Sequence, residues 1–204
     1  MIGRALILAL LLGACSGKDA RRSAAVAADT VQPAPGGRID SVLPMAEYLR
    51  RFRHGLTEPM RLEGGTTTRE ALARQFLAAV AVQDSGAMRR LLLSPAEFAW
   101  LVFPQHAYSA PPSELDPAVF WQRLGEESDE GLRATLRRFG SQTLGFRELR
   151  CQRDTVQLRP GPASLWSSCR MTYRNGSKVE THRLFGSIVE RDGRFKLLSL
   201  ANEF

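Results

Sequence analysis

Several things are scarce in this chain, and each scarcity removes a class of chemistry. No glycine-rich phosphate loop, no H-E-x-x-H and no G-x-S-x-G occurs, so the common nucleotide, zinc-protease and serine-hydrolase signatures are missing. Cysteine occurs 3 times in 204 residues, as Cys15, Cys151 and Cys169. None of them forms C-x-x-C, which is weak ground for a metal site. Histidine also occurs 3 times. Neither His106 nor His182 has a carboxylate at a telling spacing, so no acid–base pair announces itself. Long apolar runs are limited to residues 5–12. That is far short of the roughly 20 residues a membrane-spanning helix needs. Blocks of one charge are missing too. The formal net charge is +7, a balance that suits nucleic acid or an anionic surface when it is clustered. Here it is scattered and carried mostly by arginine, which reads as a solvated basic surface. No cofactor is implied by any of these features.

What is present begins at the N-terminus. Arg4 precedes the apolar run, and the small residues Gly13 and Ala14 lead into Cys15. A positive start, a short apolar core and small residues before a cut form the signal-peptide pattern. With cysteine directly after it, Leu12-Gly13-Ala14-Cys15 resembles the lipobox of bacterial lipoproteins. The alternative is an ordinary secretory signal with an incidental cysteine. The resemblance implies that residues 1–14 are removed, that Cys15 is acylated, and that membrane lipid is a partner. Ser16 stands where an Asp would favour the inner membrane. The expected address is therefore the cell envelope, at the outer membrane facing the periplasm. Export also makes nucleic acid an unsuitable partner.

An exported setting leaves Cys151 and Cys169 as an even pair under oxidising conditions. They lie 18 residues apart around Gly161-Pro162. Side chains alternate along strands, so Leu149 and Cys151 share a face, as do Cys169, Met171 and Tyr173. Antiparallel pairing through that turn sets the cysteines opposite each other. A structural disulfide is expected, with metal ligation or catalysis as the alternatives.

Residues 15–40 are poor in core-forming side chains and contain Pro33, Pro35, Gly36 and Gly37, the composition of a disordered tether. Residues 41–65 form an amphipathic lead-in. Met45, Leu49 and Phe52 recur at helical spacing after Pro44, with Arg50, Arg51 and Arg53 on the other side. Such a helix either lies on a membrane or docks on the domain. Residues 66–204 carry the domain. Thr67-x-x-Glu70 reads as a capping box opening a helix to about residue 83. Asp84-Ser85-Gly86 breaks it before a second helix over 86–93. Ser94-Pro95-Ala96-Glu97 starts a third segment, apolar on all sides and so deeply buried. A proline-rich loop over 104–117 holds His106 and Tyr108. Asp116 and Pro117 open a helix that Gly125 and Gly131 should kink or split, and Gly140 should stop it. Strands are expected at 146–153, 155–158 and 166–174, then one long strand over 178–190 and a last one over 194–201. Asn175-Gly176 and Asp192-Gly193 are hairpin turns. Three to four N-terminal helices on a C-terminal antiparallel sheet make an α+β fold.

This order resembles the nuclear transport factor 2-like, or SnoaL-like, family. The shared features are the helix over 69–83, the Asp84-Ser85-Gly86 break, and the ending Glu190-Arg191-Asp192-Gly193-Arg194-Phe195-Lys196. The resemblance implies a curved, cone-like sheet, and enzymes of that family place an acid–base residue in the cone's apolar mouth. His106, Tyr108, Tyr173 and His182 are the candidates here, the last two close enough on neighbouring strands to meet. Trp100, Trp121 and Trp166 read as core rather than as a ligand cage. Two functions follow as expectations. One is a membrane-anchored binding or interaction module for an envelope protein or a small apolar ligand. The other is an isomerase, dehydratase or cyclase using the cone pocket.

Overall fold

A computed structural model describes residues 43–204. The expected signal segment, Cys15 and the expected tether lie outside the described residues. The described residues form one compact unit, so the lead-in helix and the following elements share a body.

Helix α1 (Met45–Arg53) follows Pro44. Its apolar side, Met45, Leu49 and Phe52, packs on a cluster built around Phe98 and Phe120. The Phe52 ring meets Phe98 edge-on at 6.0 Å, and the Arg53 guanidinium donates to the Ala99 carbonyl at 2.8 Å. Helix α2 (Arg69–Ala81) starts one residue later than the sequence suggests. Thr68, not Thr67, is the cap, and its hydroxyl accepts the Ala71 amide at 3.0 Å. The shift has a local cause. Thr66 is held in an extended bridge to Phe195, and its hydroxyl donates to the Thr68 carbonyl at 2.9 Å.

Asp84 caps α3 (Ser85–Arg90). The expected start at Ser94-Pro95 is present, and Ser94 and Glu97 form a reciprocal capping box of the short α4 (Pro95–Glu97), which continues into a π-helical turn over Phe98–Val102. Helix α5 (Pro117–Phe139) has Asp116 as its cap. It is a single helix of 23 residues rather than two. Gly131 does not break it. A Cβ at that position would collide with the Leu200 carbonyl, so the glycine lets the C-terminal segment lie against the helix. The Asn202 amide then donates to the Gly131 carbonyl at 2.7 Å.

The sheet has 5 antiparallel strands after the helices, and the fold is α+β. They are β1 (Leu144–Asp154), β2 (Ala163–Asn175), β3 (Lys178–His182), β4 (Ile188–Arg191) and β5 (Arg194–Leu197). Residues 155–158 form no strand; Leu158 makes an isolated bridge to His106. The single long strand expected over 178–190 is instead β3 and β4, which share one edge of β2. Leu184 and Phe185 explain the break. Both are 1% exposed, and two consecutive buried side chains cannot keep the alternation of a strand. The Gly186 amide donates to the Ser199 carbonyl at 3.0 Å, fixing the detour.

The two ends of the sheet are treated differently. The edge of β5 is covered by Thr66 and by Leu92. β1 lies at the other end of the strand order. It has register shifts between Phe146 and Glu148 and between Arg150 and Gln152. Bulges and charged side chains are the usual protection of such a strand against unwanted pairing.

Candidate functional site

Four arrangements in the domain bring chemistry together. The first is the cysteine pair. The Sγ atoms of Cys151 and Cys169 are 2.07 Å apart and the Cα atoms 4.1 Å. The bridge sits at the second β1–β2 register shift, where Ser168 takes φ +51°. That is the left-handed region, uncommon for a residue other than glycine. The disulfide therefore staples the sheet at its most irregular step.

The second arrangement is His106, in the proline-rich loop. It is 2% exposed. Phe120 and Tyr108 lie at 4.8 Å from its ring, and Phe103 is parallel to it at 6.3 Å. Its Nδ1 accepts the Tyr108 amide at 3.1 Å. In the neutral ring that leaves the proton on Nε2, and Nε2 has no partner. Burial pushes the imidazole down to about 4, against a smaller upward pull from Asp154. His106 is thus a neutral, enclosed side chain at neutral pH. Tyr108, at 38% exposure, forms the outer wall of its cage.

The third is at the far end of β2. Tyr173 and His182 meet across β2 and β3, with the Tyr173 Oη 2.8 Å from His182 Nδ1. The hydroxyl also donates to Glu180 Oε2 at 3.2 Å. The Tyr173 ring is fully buried. Burial, then the Glu180 charge, push its hydroxyl far above the ordinary tyrosine range. Because that hydroxyl spends its proton on Glu180, its oxygen is placed to accept from His182 Nδ1. Phe204 packs edge-on to the His182 ring at 6.3 Å. Glu180 corrects the sequence reading, in which His182 had no carboxylate partner. It stands two residues before the histidine on the same strand, and the period of two is the signal that would have found it.

The fourth is a pair the sequence offered only as half of a helix cap. Glu97 is 1% exposed and Lys196 5%. Lys196 Nζ donates to Glu97 Oε2 at 2.7 Å, and the same carboxylate accepts the Glu63 and Ser94 amides at 2.6 Å. With three donors in place, the buried carboxylate is fully satisfied, and it ties α4 to β5.

The two histidines do not come together. His106 belongs to the Phe98–Phe120 cluster's surroundings, whereas Tyr173 belongs to the cluster built on Phe76 and Phe139. A larger concavity lies elsewhere, an open groove of about 790 Å³ between α2 and α3. Gln75, Ala78, Ala79 and Val82 form one wall, and Ala87 and Leu91 the other. Val82 is 74% exposed. Glu63, Asp84 and Arg90 stand around the groove as its charged residues. A second concavity of about 380 Å³ lies on the outer sheet surface, lined by polar residues including Arg150, Arg170 and Thr181. Neither concavity is lined by His106, Tyr108, Tyr173 or His182. Among the described residues no cluster of three or more His, Cys, Asp or Glu is placed to hold a metal ion. Among them, too, no helix is long and apolar enough to cross a membrane.

Compared with known families, curated proteins and solved structures, the chain matches no family model, no curated protein and no solved structure.

Proposed function

We propose that the chain is a lipid-anchored envelope protein whose α+β domain is a binding module, with the groove between α2 and α3 as its docking surface. The anchor rests on Leu12-Gly13-Ala14-Cys15 and the resemblance to a lipobox. The observation that carries the binding reading is the groove itself. Small side chains at Ala78, Ala79 and Ala87 line its two walls with apolar surface. Val82, beside them, holds a large apolar side chain in water. Apolar concavities with a few polar groups at the rim are the usual form of a ligand or partner site. The occupant is an apolar segment of an envelope protein or a small apolar ligand.

Photo-crosslinking in cells tests this. A photoreactive residue at position 82 should give adducts in the envelope fraction. The same residue at position 119, where Val119 is 54% exposed on α5, should not. Matching adduct patterns at the two positions would remove the groove from the reading. The anchor has its own test: Cys15→Ala should abolish fatty-acid labelling, and unchanged labelling would overturn it.

A further inference from the structure

We propose that His106 is an acid-sensitive latch, closing the proline-rich loop onto the β1–β2 connection when neutral and releasing it when protonated. The latch has two sides, 50 residues apart in sequence. The Ala107 amide donates to the Gln157 carbonyl at 2.8 Å, and the Arg159 amide to the Gln105 carbonyl at 2.9 Å. These bonds flank the His106–Leu158 bridge. Side chains strengthen them. Gln105 Oε1 accepts the Ala163 amide at 3.0 Å. The Arg159 guanidinium donates to the Pro104 carbonyl at 2.9 Å and the Ser109 hydroxyl at 2.8 Å. His106 is the buried pin of this joint.

Protonation attacks the pin directly. Nε2 already holds a proton in the neutral ring, so the incoming one must go to Nδ1. There it meets the Tyr108 amide hydrogen, and an acceptor becomes a second donor. The new cation is enclosed among Phe103, Phe120 and Tyr108, and neither ring nitrogen then has an acceptor. A buried charge without a partner is costly enough that the group leaves its site or stays neutral. Leaving means that residues 104–109 part from 155–159.

The charged and titratable groups around the joint separate two pH windows. On the connection they are Asp154 and Arg159, on the loop itself Tyr108, and at the start of α5 Asp116. Asp116 is engaged with the Ala118 amide at 2.8 Å, and Arg159 with the loop as above. Only Asp154 acts on the ring charge. Its own carboxyl is raised by partial burial, but the Gln157 and Val156 amides outweigh this and hold it below its ordinary range. His106 is depressed in the closed state, so an open state binds protons more readily. Closure is then complete above the ordinary histidine value of 6.5 and weakens as the pH falls toward about 4. The open-to-closed ratio should rise on the order of 100-fold between pH 6.5 and 4, most of the total that such a displacement implies. Asp154 weakens the connection only at lower pH, as its carboxyl protonates.

Hydrogen exchange of the described domain within the full chain tests the latch, with rates corrected for intrinsic pH dependence. The Ala107 and Arg159 amides should lose protection between pH 6.5 and 4. The Leu93 amide, bonded to the Leu197 carbonyl at 2.9 Å, should not. His106→Gln keeps an acceptor for Tyr108 but does not titrate, and should hold protection flat over that window. Asp154→Asn should retain the loss. Unchanged protection in the wild type, or the same loss in His106→Gln, would overturn the proposal. A proton NMR titration guards against a variant that fails to fold: a wild-type His106 ring titrating near 6.5 would also overturn it.

Discussion

The two halves of β2 handle their polar groups in opposite ways. Around Ala163–Trp166 the domain hides them: His106, Glu97 and Lys196 are all at or below 5% exposure. Around Met171–Asn175 it leaves them at the rim, where the His182 and Glu180 side chains are 24% and 26% exposed. Hidden groups need partners from the protein, and a missing partner is felt at full strength. Groups at the rim have water in reserve. The first half is therefore rigid and sensitive to single substitutions or protons. The second tolerates the loss of a bond but offers its chemistry to solvent.

The sharpest way to break this comparison is to remove one hidden charge. Lys196→Met should destabilise by about 3–5 kcal/mol, because Glu97 is left buried and without its cation. Chemical denaturation measures it. Glu180→Gln, the matched change at the rim, should cost about 1 kcal/mol or less. Equal losses would mean that burial does not separate the halves.

The disulfide comes next. It closes an 18-residue separation between β1 and β2, and replacing both cysteines with Ala should cost about 3 kcal/mol in the chain-entropy view. In a domain of this size that is a fall of several degrees in Tm. Intact-mass analysis with alkylation before and after reduction checks the bridge itself. Two alkylated thiols before reduction would overturn it.

Local chemistry made much of this readable from sequence, and long-range contact hid the rest. Ser94 with Glu97, Asp116 with Pro117, and the Asn175-Gly176 and Asp192-Gly193 turns are signals contained within four residues, and each marks the boundary it should. Gly131 reads as a helix breaker because its reason, the Leu200 carbonyl, lies 69 positions away. The broken strand over 178–190 was hidden by Leu184 and Phe185, which look like continued strand until the core claims both. The burial of His106 is hidden from sequence because its cover, residues 155–159, is distant along the chain. Glu180 is legible, since strand alternation places it beside His182.

The smallest expected effect compares the two rings directly. Tyr173→Phe removes a hydroxyl that joins His182 Nδ1 at 2.8 Å and Glu180 Oε2 at 3.2 Å. Both partners are partly solvated, so water should take over, and the loss should be about 1 kcal/mol. His106→Phe removes a ring whose Nε2 has no partner and frees one backbone amide, Tyr108's. Losing an unsatisfied donor offsets losing a satisfied acceptor, so this change should be close to neutral at pH 7. It should become relatively stabilising as the pH falls below 6.5, where the wild-type ring is held neutral only against its tendency to take a proton. Thermal melts of both variants at pH 7 and pH 5 give the four numbers needed. If His106→Phe gains nothing relative to wild type at pH 5, His106 is not the enclosed neutral ring described above. The contrast between the halves would then rest on Glu97 and Lys196 alone.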